Sequence, residues 1–441
     1  MTKMMDWIRY GCVGMGLLIV CGCAASGEPW TQWGGPHRNF TTTASRLPRS
    51  WPASGPTTLW KRELGDGYSS IISDGKTLYT MFRKGTVPSA DDDDAAEEGP
   101  KAPPEYEQET VIAIDAATGR TKWSYAYDAP FIEIDEDHRQ PTQFGFGPNS
   151  TPLLVGGRLF AIGHTSIMHC LDAETGRVLW RKDLYHDMEG SFLRFGYAVS
   201  PVAYKNTVIV LVGGEGQGVV ALDQASGDVV WKSTDLPCSY ASPVIVNVEG
   251  EDHLIAYLEG AIVGLSPTDG RVHWSLEAKS RFHTSISTPI WCPDDILYFV
   301  VRGGDGARAV HLAHHGDHIQ PEPVWNNHKI KGSLSDPVVV GGLLCGAAGG
   351  SVGMMQAFDF RTGKIAWKKR GLAKVKPVRT PGKLVLLDGK GRLMLATATG
   401  EGITVHAEAQ LLEEPAWTAP TVVGDKVYLR DKKSIMAVRL R

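Results

Sequence analysis

The sequence predicts an all-β fold, an eight-bladed β-propeller of four-stranded antiparallel blades, from three observations. A ten-residue motif recurs along the 441-residue chain, prolines open apolar runs every 40–49 residues, and the two ends of the chain carry complementary halves of one repeat. Repetition at a fixed period identifies repeat architectures more reliably than local propensity does. Four short strands per repeat, with a period in this range, indicate a propeller.

The motif reads apolar–Asp–x–x–Thr–Gly–x–x–x–Trp, and its clearest copy spans residues 171–180. The Asp carboxylate can accept hydrogen bonds from backbone N–H groups two residues on, which closes a turn. Glycine supplies the positive φ that a short hairpin loop needs, and Trp brings a large apolar area to the next strand. The predicted turn residues are Asp115, Gly119, Asp172, Gly176, Asp223, Gly227, Gly270, Asp359 and Gly363.

Degenerate copies complete the count of repeats. Residues 311–316 lead to Trp325, and residues 395–400 are followed by His406 where a Trp is expected. A Trp strand at 59–64 has no motif before it, and a half copy at 435–438 has no Trp after it. We therefore predict that the N-terminal strand completes the last blade and closes the ring. The predicted blade-docking residues are Trp60, Trp123, Trp180, Trp231, Trp274, Trp325 and Trp367, with His406 as the eighth.

The prolines mark the first strand of each blade. Proline donates no ladder hydrogen bond, so it belongs on an edge strand or at a strand start. The innermost strand of a propeller blade is such an edge, because it faces the central channel. An open stack of β-repeats is the alternative, and the complementary terminal halves disfavour it. The prolines, mostly preceded by Ser, Thr or Ala, are Pro152, Pro201, Pro243, Pro289, Pro337, Pro377 and Pro420.

The N-terminus has the features of an export signal. Residues 1–22 combine two basic residues with an apolar core at 11–21 that is too short to span a membrane. The sequence that ends at Cys23 resembles a bacterial lipobox, which predicts lipidation of Cys23. Ordinary cleavage a few residues later and a retained anchor are the alternatives. Residues 23–57, rich in Gly, Pro, Ser and Thr, are predicted to form an extended leader, and residues 58–441 the propeller.

Composition excludes some classes of function. The formal net charge of −4 argues against a nucleic-acid binder. The chain contains no phosphate-binding loop, no G-x-S-x-G elbow and no H-E-x-x-H motif. Four cysteines beyond the signal and Cys23 sit at different points of their repeats, so we predict buried free thiols. They are Cys170, Cys238, Cys292 and Cys345.

Three segments interrupt the repeats. The insertion at 84–109 is acidic and Pro-rich, which predicts a solvated loop; Asp91–Asp94 form a charge run rather than a calcium loop. The insertion at 131–149 is acidic, and residues 185–198 combine Tyr, Phe, Arg and His. Because loops on a rigid ring often carry binding residues, both segments are candidates for a channel mouth or a partner surface.

One cluster has metal-ligating residue types, namely His311, His314, His315 and His318 with Asp317. Two of these histidines could share a face only if a strand ran through, and the Gly316 turn interrupts it. No Cys or Glu completes a known ligand pattern. A solvated, degenerate turn is therefore the favoured interpretation, with a metal site as the alternative.

The Asp-x-x-Thr-Gly-x-x-x-Trp repeat resembles that of the pyrroloquinoline-quinone (PQQ)-type propellers, over about residues 58–441. The resemblance implies that each Trp docks between adjacent blades. The family contains quinoprotein dehydrogenases, which bind PQQ and calcium and carry adjacent cysteines. This chain has no adjacent Cys pair. The family also contains the outer-membrane protein assembly factor (BamB) group, which are eight-bladed lipoproteins without a cofactor. The signal, lipobox and blade count match that group better.

The resulting functional prediction is an exported propeller without catalytic activity. It would act as a protein-binding scaffold on the periplasmic side of the cell envelope, lipid-anchored to a membrane and possessing envelope protein partners. We expect no cofactor, no nucleic-acid partner and a monomeric ring. A PQQ- and calcium-dependent oxidoreductase is one alternative, and a carbohydrate- or ligand-binding propeller is another.

Overall fold

The computed structural model describes residues 27–43, 47–84, 108–132, 147–281, 284–303, 306–316, 318–332, 335–349, 353–413 and 415–440. Within these ranges all regular structure is β, and no helix is long and apolar enough to cross a bilayer. The strands form eight four-stranded sheets in which neighbours pair antiparallel. The predicted eight-bladed propeller is confirmed.

Seven blades use four consecutive strands that pair in chain order from the channel outward, and blade 8 takes its outermost strand from the N-terminus. Blade 1 contains β2 (Ile72–Ser73), β3 (Thr77–Arg83), β4 (Gln108–Asp115) and β5 (Thr121–Asp128). Blade 2 contains β6 (Leu153–Val155), β7 (Arg158–Ile162), β8 (Ile167–Asp172) and β9 (Val178–Asp183). Blade 3 contains β10 (Val202–Tyr204), β11 (Thr207–Leu211), β12 (Val219–Asp223) and β13 (Val229–Ser233). Blade 4 contains β14 (Val244–Val248), β15 (Glu251–Tyr257), β16 (Ala261–Leu265) and β17 (Val272–Glu277).

The second half of the ring continues this order. Blade 5 contains β18 (Ile290–Cys292), β19 (Ile296–Val301), β20 (Gly306–His315) and β21 (His318–Asn327). Blade 6 contains β22 (Val338–Val340), β23 (Leu343–Ala347), β24 (Met354–Asp359) and β25 (Ile365–Arg370). Blade 7 contains β26 (Lys376–Thr380), β27 (Lys383–Leu387), β28 (Arg392–Ala398) and β29 (Ile403–Gln410). Blade 8 contains β30 (Thr421–Val423), β31 (Lys426–Arg430), β32 (Ser434–Arg439) and β1 (Thr57–Glu63).

The N-terminal strand closes the ring. Strand β1 pairs antiparallel with β32, with Trp60 opposite Ala437 and Glu63 opposite Ser434. Two chain ends therefore share one blade, and the ring has no open terminal sheet whose edge could pair with another chain. This is the closure that the two orphan half repeats predict.

A β-bulge lies beside the Trp position in the outermost strand pair of every blade. In blade 7 the residue in the Trp register is Ala407, which pairs with Leu395, and His406 is the extra residue of the bulge. The predicted alignment of His406 with the tryptophans is therefore wrong by one position. The cause is a longer connection in this blade: the paired residues Leu395 and Ala407 are 12 positions apart, whereas Cys170 and Trp180 of blade 2 are 10 apart.

Burial follows the position of each strand in its blade. The middle strands are buried on both faces because each sheet packs against two neighbouring blades, so β11 reads as the continuous apolar run Thr207–Leu211. The outermost strands alternate, and β5 has its residues partly exposed along most of its length. The four predicted free cysteines are confirmed as buried thiols without disulfides.

The topology gives the ring two different ends. First-to-second and third-to-fourth strand connections lie at one end, which we call the turn face. Connections from second to third strands and between blades lie at the other end, which we call the loop face. The strands that flank both predicted insertions meet them at the loop face: the first insertion separates β3 from β4, and the second separates β5 from β6. Residues 85–107 and 133–146, including Asp91–Asp94, lie outside the described residues.

Candidate functional site

The predicted turn residues lie at the turn face between third and fourth strands. In blade 2, Asp172 Oδ1 accepts hydrogen bonds from Thr175 N at 2.9 Å and from Thr175 Oγ1 at 2.7 Å. The turns at Asp115, Asp223 and Asp359 repeat this arrangement. The hydrogen bond from the Thr175 hydroxyl lowers the pKa of Asp172. The carboxylate thus takes its bonds chiefly three residues on, where the Thr of the motif stands.

Each motif glycine also lies against a tryptophan ring of the preceding blade. A Cβ added to Gly119 would stand 2.6 Å from the Trp60 ring. The same contact joins Gly176 to Trp123, Gly227 to Trp180, Gly270 to Trp231, and Gly363 to Trp325. These five glycines also have φ between 68° and 77°. Glycine is therefore needed twice, for the backbone conformation and for the space that the ring fills.

Most of these rings also donate a hydrogen bond across the seam between blades. The indole Nε1–H groups of Trp60, Trp123 and Trp180 donate to carbonyl oxygens of the next blade at 3.0–3.2 Å. Trp325 and Trp367 do so at 2.8 Å, to Phe360 O and Thr399 O. The acceptor is usually the carbonyl of the residue after the turn Asp, so the indole bond fixes one register between blades.

Trp274 is placed differently from the other tryptophans. Its ring covers Gly264 of its own blade, where an added Cβ would stand 2.2 Å away. Its Nε1–H is buried and has no hydrogen-bond partner among the described residues. The next blade lacks the Asp-x-x-Thr-Gly turn, and Gly316, which replaces it, has open space around it. Trp274 therefore packs at the seam without the turn contact that the motif predicts.

The start of the innermost strands carries a row of hydrogen bonds between blades, which the repeat motif does not predict. In blades 1 to 4 the residue at the start of each innermost strand bonds to its counterpart in the next blade: Ser70 N donates to Thr151 Oγ1, Thr151 N to Ser200 Oγ, and Ser200 N to Ser242 Oγ, at 3.0–3.3 Å. We call these residues the hydroxyl girdle. The sequence held a signal for it, because Ser or Thr precedes most of the marker prolines.

Two charged residues replace hydroxyls in the girdle. Asp336 precedes Pro337, is buried, and accepts a hydrogen bond from Thr288 N at 3.0 Å. Lys376 precedes Pro377 in the next blade. Burial raises the pKa of Asp336 and lowers the pKa of Lys376, and each charge opposes the shift of the other. The pair takes the hydroxyl positions in blades 6 and 7.

The leader crosses the channel at the turn face. Trp30 exchanges two backbone hydrogen bonds with Ser73 of blade 1, at 2.7 and 2.8 Å. Arg38 donates to Ala203 O of blade 3 at 3.1 Å, and Thr42 N donates to Arg379 O of blade 7 at 3.0 Å. Trp33 Nε1 reaches Thr288 of blade 5. Because these blades stand on opposite sides of a closed ring, the leader covers this end of the channel.

The leader is folded back rather than extended over this part. Gly34 and Gly35 have φ of 72° and 78°, and Phe40 N donates to Gly34 O at 2.8 Å. Further on, Trp51 is buried, and its Nε1 donates to Glu408 O of blade 7 at 3.4 Å. Blade 7 is the blade whose Trp position holds Ala407, so a leader Trp packs where the repeat supplies none.

The loop face carries partly exposed aromatic residues. Strands β9 and β10 are joined by residues 184–201, in which Tyr185 contacts Phe192 and Phe195 contacts Tyr240 of the next loop. Arg194 is exposed beside Phe195. Aromatic and Arg side chains are enriched in protein interfaces. The structure thus places the predicted segment 185–198 at the end of the ring that the leader leaves uncovered.

A buried polar group supports the bases of both insertions. Arg83 and Glu109 are fully buried and their side chains lie 3.2 Å apart. Glu109 also accepts hydrogen bonds from Tyr127 OH at 2.7 Å and His164 N at 3.0 Å. Burial, followed by the Arg83 charge, lowers the pKa of His164 to about 3. Because Arg83 and Glu109 stand at the two ends of the first insertion, their ion pair holds these two ends close together.

The predicted histidine cluster lies on the turn face of blade 5. Strands β20 and β21 pair as far as His315 and His318, and the residues at the tip are exposed, so the segment is a hairpin that ends in a solvated turn without the motif. Asp317 lies outside the described residues, as does Cys23. Across the ranges that the structure describes, no three His, Cys, Asp or Glu side chains are already arranged to hold a metal ion.

Residues 107–369 match the family described as outer membrane protein assembly factor BamB. The BamB of Yersinia pestis is 25% identical over 302 residues, which cover 65% of this chain and 72% of that protein. The crystal structure of BamB from Moraxella catarrhalis superposes with a TM-score of 0.57 at 15% identity, covering 87% of this chain and 98% of that one.

A quinohemoprotein alcohol dehydrogenase from Comamonas testosteroni also superposes with a TM-score of 0.57. It is 13% identical, and the match covers 94% of this chain and 80% of that one. At this identity the likeness concerns the fold alone.

Proposed function

The chain belongs to the outer membrane protein assembly factor BamB family, and we propose that it is an exported, non-catalytic scaffold that binds envelope proteins during outer-membrane protein assembly. The ring would be monomeric and would present its loop face to its partners. The proposal rests on the family relationship for the process and on the two ends of the channel for the binding surface.

The observation that carries the proposal is the difference between those two ends. The leader covers the channel at the turn face, where Trp30 and Thr42 bond to blades 1 and 7. The loop face carries the long connections, including residues 184–201 with their aromatic side chains. A rigid ring that holds irregular loops at one end is suited to recognising another protein.

The quinoprotein alternative finds little support in the donor chemistry of the channel wall. Calcium takes six to eight oxygen ligands, with carboxylates prominent among them. Among the seven residues before the marker prolines, Asp336 is the sole carboxylate. It is already bonded to Thr288 N, and a lysine follows it in the girdle. These residues do not fit a calcium–quinone site, so we derive no reaction from them.

The location proposed for the ring is the periplasmic side of the envelope, with a lipid on Cys23. The described leader begins at Gly27, only a few residues beyond Cys23. Changing Cys23→Ser should release the protein from the membrane fraction and change the mass of its mature N-terminus. Unchanged fractionation and mass would contradict lipidation, while leaving the scaffold proposal to its own test.

Site-specific photocrosslinking in the native host tests the scaffold proposal. A benzoyl-phenylalanine at Arg194 probes the loop face, and one at Glu174, exposed in a motif turn, is the matched control on the turn face. We expect a discrete adduct with an envelope protein from position 194 and none from 174. Equal adducts from both positions, or none from either, would contradict binding through the loop face.

A further inference from the structure

The turn face carries one departure from the repeat, a pair of lengthened hairpins in blades 4 and 5. Strands β20 and β21 have ten residues each, whereas the third and fourth strands of other blades have five to eight. The β14–β15 hairpin beside them is also long, and Val246, Val248, Leu312 and Ile319 of the two hairpins share one buried cluster. We call this feature the histidine ridge, and its histidines are His253, His273, His311, His314, His315 and His318.

Two of these histidines are in contact and have unpaired ring nitrogens. His253 is fully buried, and neither of its ring nitrogens has a hydrogen-bond partner among the described residues. His273 packs against it, with ring centroids 4.9 Å apart and planes at 65°, and its buried Nε2 also lacks a partner. Glu251 Oε2 lies 3.8 Å from His253 Nε2. These contacts place two imidazoles and a carboxylate together.

Unpaired nitrogens in this position call for an explanation. A buried polar group without a partner costs about 1–3 kcal/mol, and an ion or an ordered water usually accounts for such groups. Burial, followed by the neighbouring His273, lowers the pKa of His253. Imidazole nitrogens in their neutral form are common metal ligands.

We propose that the histidine ridge binds one transition-metal cation of the zinc class between His253 and His273, with Glu251 and His314 as further ligands. Imidazole with one carboxylate suits Zn²⁺, Ni²⁺ or Cu²⁺, whereas Ca²⁺ and Mg²⁺ prefer all-oxygen sites. The site is distinct from the loop face and adds a function to the proposed scaffold.

The distances are compatible with a shared cation. Metal–ligand bonds to His nitrogen and carboxylate oxygen are about 2.0–2.2 Å, so two donors about 3.3–3.6 Å apart can bind the same tetrahedral ion. The 3.8 Å between His253 Nε2 and Glu251 Oε2 is slightly longer, and a small rotation of the Glu251 side chain would close the difference. No third donor already converges among the described residues. Glu251, 55% accessible, would rotate inward, and His314, 33% accessible, would also have to leave Glu249 Oε2, which lies 3.8 Å from its Nε2.

The other side of the same hairpin provides an internal control. His315 Nε2 lies 2.7 Å from Glu322 Oε1, and His311 Nδ1 lies 3.9 Å from Glu322 Oε2. These side chains are about half exposed and already paired with each other. Exposed histidines of this kind can adsorb a metal ion at the surface, so they serve as the control for the buried pair.

Calorimetric titration of the purified mature protein with zinc chloride tests the proposal. We expect one equivalent to bind, and we expect Glu251→Gln and His273→Gln each to weaken binding at least about tenfold. Glu251 is exposed, so its variant should fold normally even if a change at a buried histidine does not. His315→Gln is the matched control and should leave the affinity unchanged, and calcium chloride should give no heat.

Three outcomes would overturn the proposal. Zinc could give no saturable binding, which would assign the unpaired nitrogens to water. Binding could be unaffected by Glu251→Gln and His273→Gln. Alternatively, binding could be lost in His315→Gln alone, which would assign it to surface adsorption on the outer side of the hairpin. None of these results bears on the loop face or on its photocrosslinking test.

Discussion

The seam that closes the ring differs sharply from the seam between blades 4 and 5. At the closing seam, Trp60 lies on Gly119 and donates to Ala116 O at 3.2 Å. Arg430 of blade 8 is fully buried and donates to Gly65 O, Ser69 O, Met81 O and Thr80 Oγ1 of blade 1. At the other seam, Trp274 leaves its Nε1 without a described partner, and so does the neighbouring His253 for both ring nitrogens.

The comparison shows what the Asp-x-x-Thr-Gly turn provides for the indole that docks on it; Trp231, which lies on Gly270 of a turn without that Asp, also has no described partner for its Nε1. Where blade 1 provides the Asp-x-x-Thr-Gly turn, the indole finds both a glycine to lie on and a carbonyl to bond. Where blade 5 replaces that turn with a longer hairpin, the seam remains apolar and packed but keeps unpaired donors and acceptors. Unpaired buried groups destabilise a protein unless they bind something else, so the irregular seam is the better place to look for a ligand.

The largest expected effect comes from removing a regular contact. Trp180→Ala should lower the free energy of unfolding by about 3–5 kcal/mol, because it opens a cavity between blades 2 and 3 and removes the bond to Gln224 O. Denaturant unfolding monitored by circular dichroism measures this change. A loss below about 1 kcal/mol would show that the ring does not dock as described.

Arg430→Met should cost about 3 kcal/mol or more. Four acceptors at the closing seam would lose their buried donor, and each unpaired group costs about 1–3 kcal/mol before relaxation. The same unfolding measurement applies, with Arg120→Met, on an exposed turn, as the control. If both variants were equally stable, the buried arginine would make no contribution to the stability of the closing seam.

Two glycine variants separate the effects of backbone and packing. Gly119→Ala places a Cβ 2.6 Å from the Trp60 ring at φ 73°, whereas Gly316→Ala has φ 62° and open space. Both should lose about 1–2 kcal/mol to the left-handed conformation. Gly119→Ala should lose about 1–3 kcal/mol more, because it also overpacks the seam. Equal losses of stability in the two variants would show that the contact between Gly119 and the Trp60 ring does not contribute to stability.

A third seam gives a pH-dependent effect. His169 of blade 2 is buried against Tyr125 and Tyr127 of blade 1, and burial, followed by Arg181, lowers its pKa to about 4 from 6.5. Below pH 6.5 this histidine is protonated in the unfolded chain, whereas in the folded chain it stays neutral until about pH 4. Stability should therefore fall by up to about 1.4 kcal/mol per pH unit between about 6.5 and 4.

The variant His169→Gln tests this assignment, because glutamine does not titrate in the same range. Unfolding free energies measured between pH 7 and 4 should decline less steeply in the variant than in the wild type. His164 titrates by the same mechanism and remains in both proteins, so the slope should become shallower without vanishing. Parallel declines in the two proteins would show that His169 does not contribute.

The sequence predicted the ring because its motif residues act within one hairpin. Asp172, Thr175 and Gly176 are neighbours in the chain, so their turn follows from spacing and residue type. Closure by β1 was predictable for the same reason, since the two half repeats are each local patterns.

Features that depend on contacts between blades were not predictable in this way. The space that Trp123 fills over Gly176 comes from a different blade, and the spacing alone did not reveal it. His253 and His273 belong to blade 4, far in sequence from the histidine-rich hairpin of blade 5 that they join. Both the unpaired nitrogens and the histidine ridge depend on contacts between distant parts of the chain, and a local sequence pattern does not show such contacts.

The most direct test of the scaffold account is the amount of assembled outer-membrane β-barrel protein in a host that lacks this gene. We predict that the amount falls, and that the wild type and Glu174→Lys, a turn-face variant, restore it. Arg194→Glu, which reverses an exposed charge on the loop face, should restore it poorly although the ring is folded. Undiminished β-barrel protein without the gene, or equal rescue by both variants, would contradict the account.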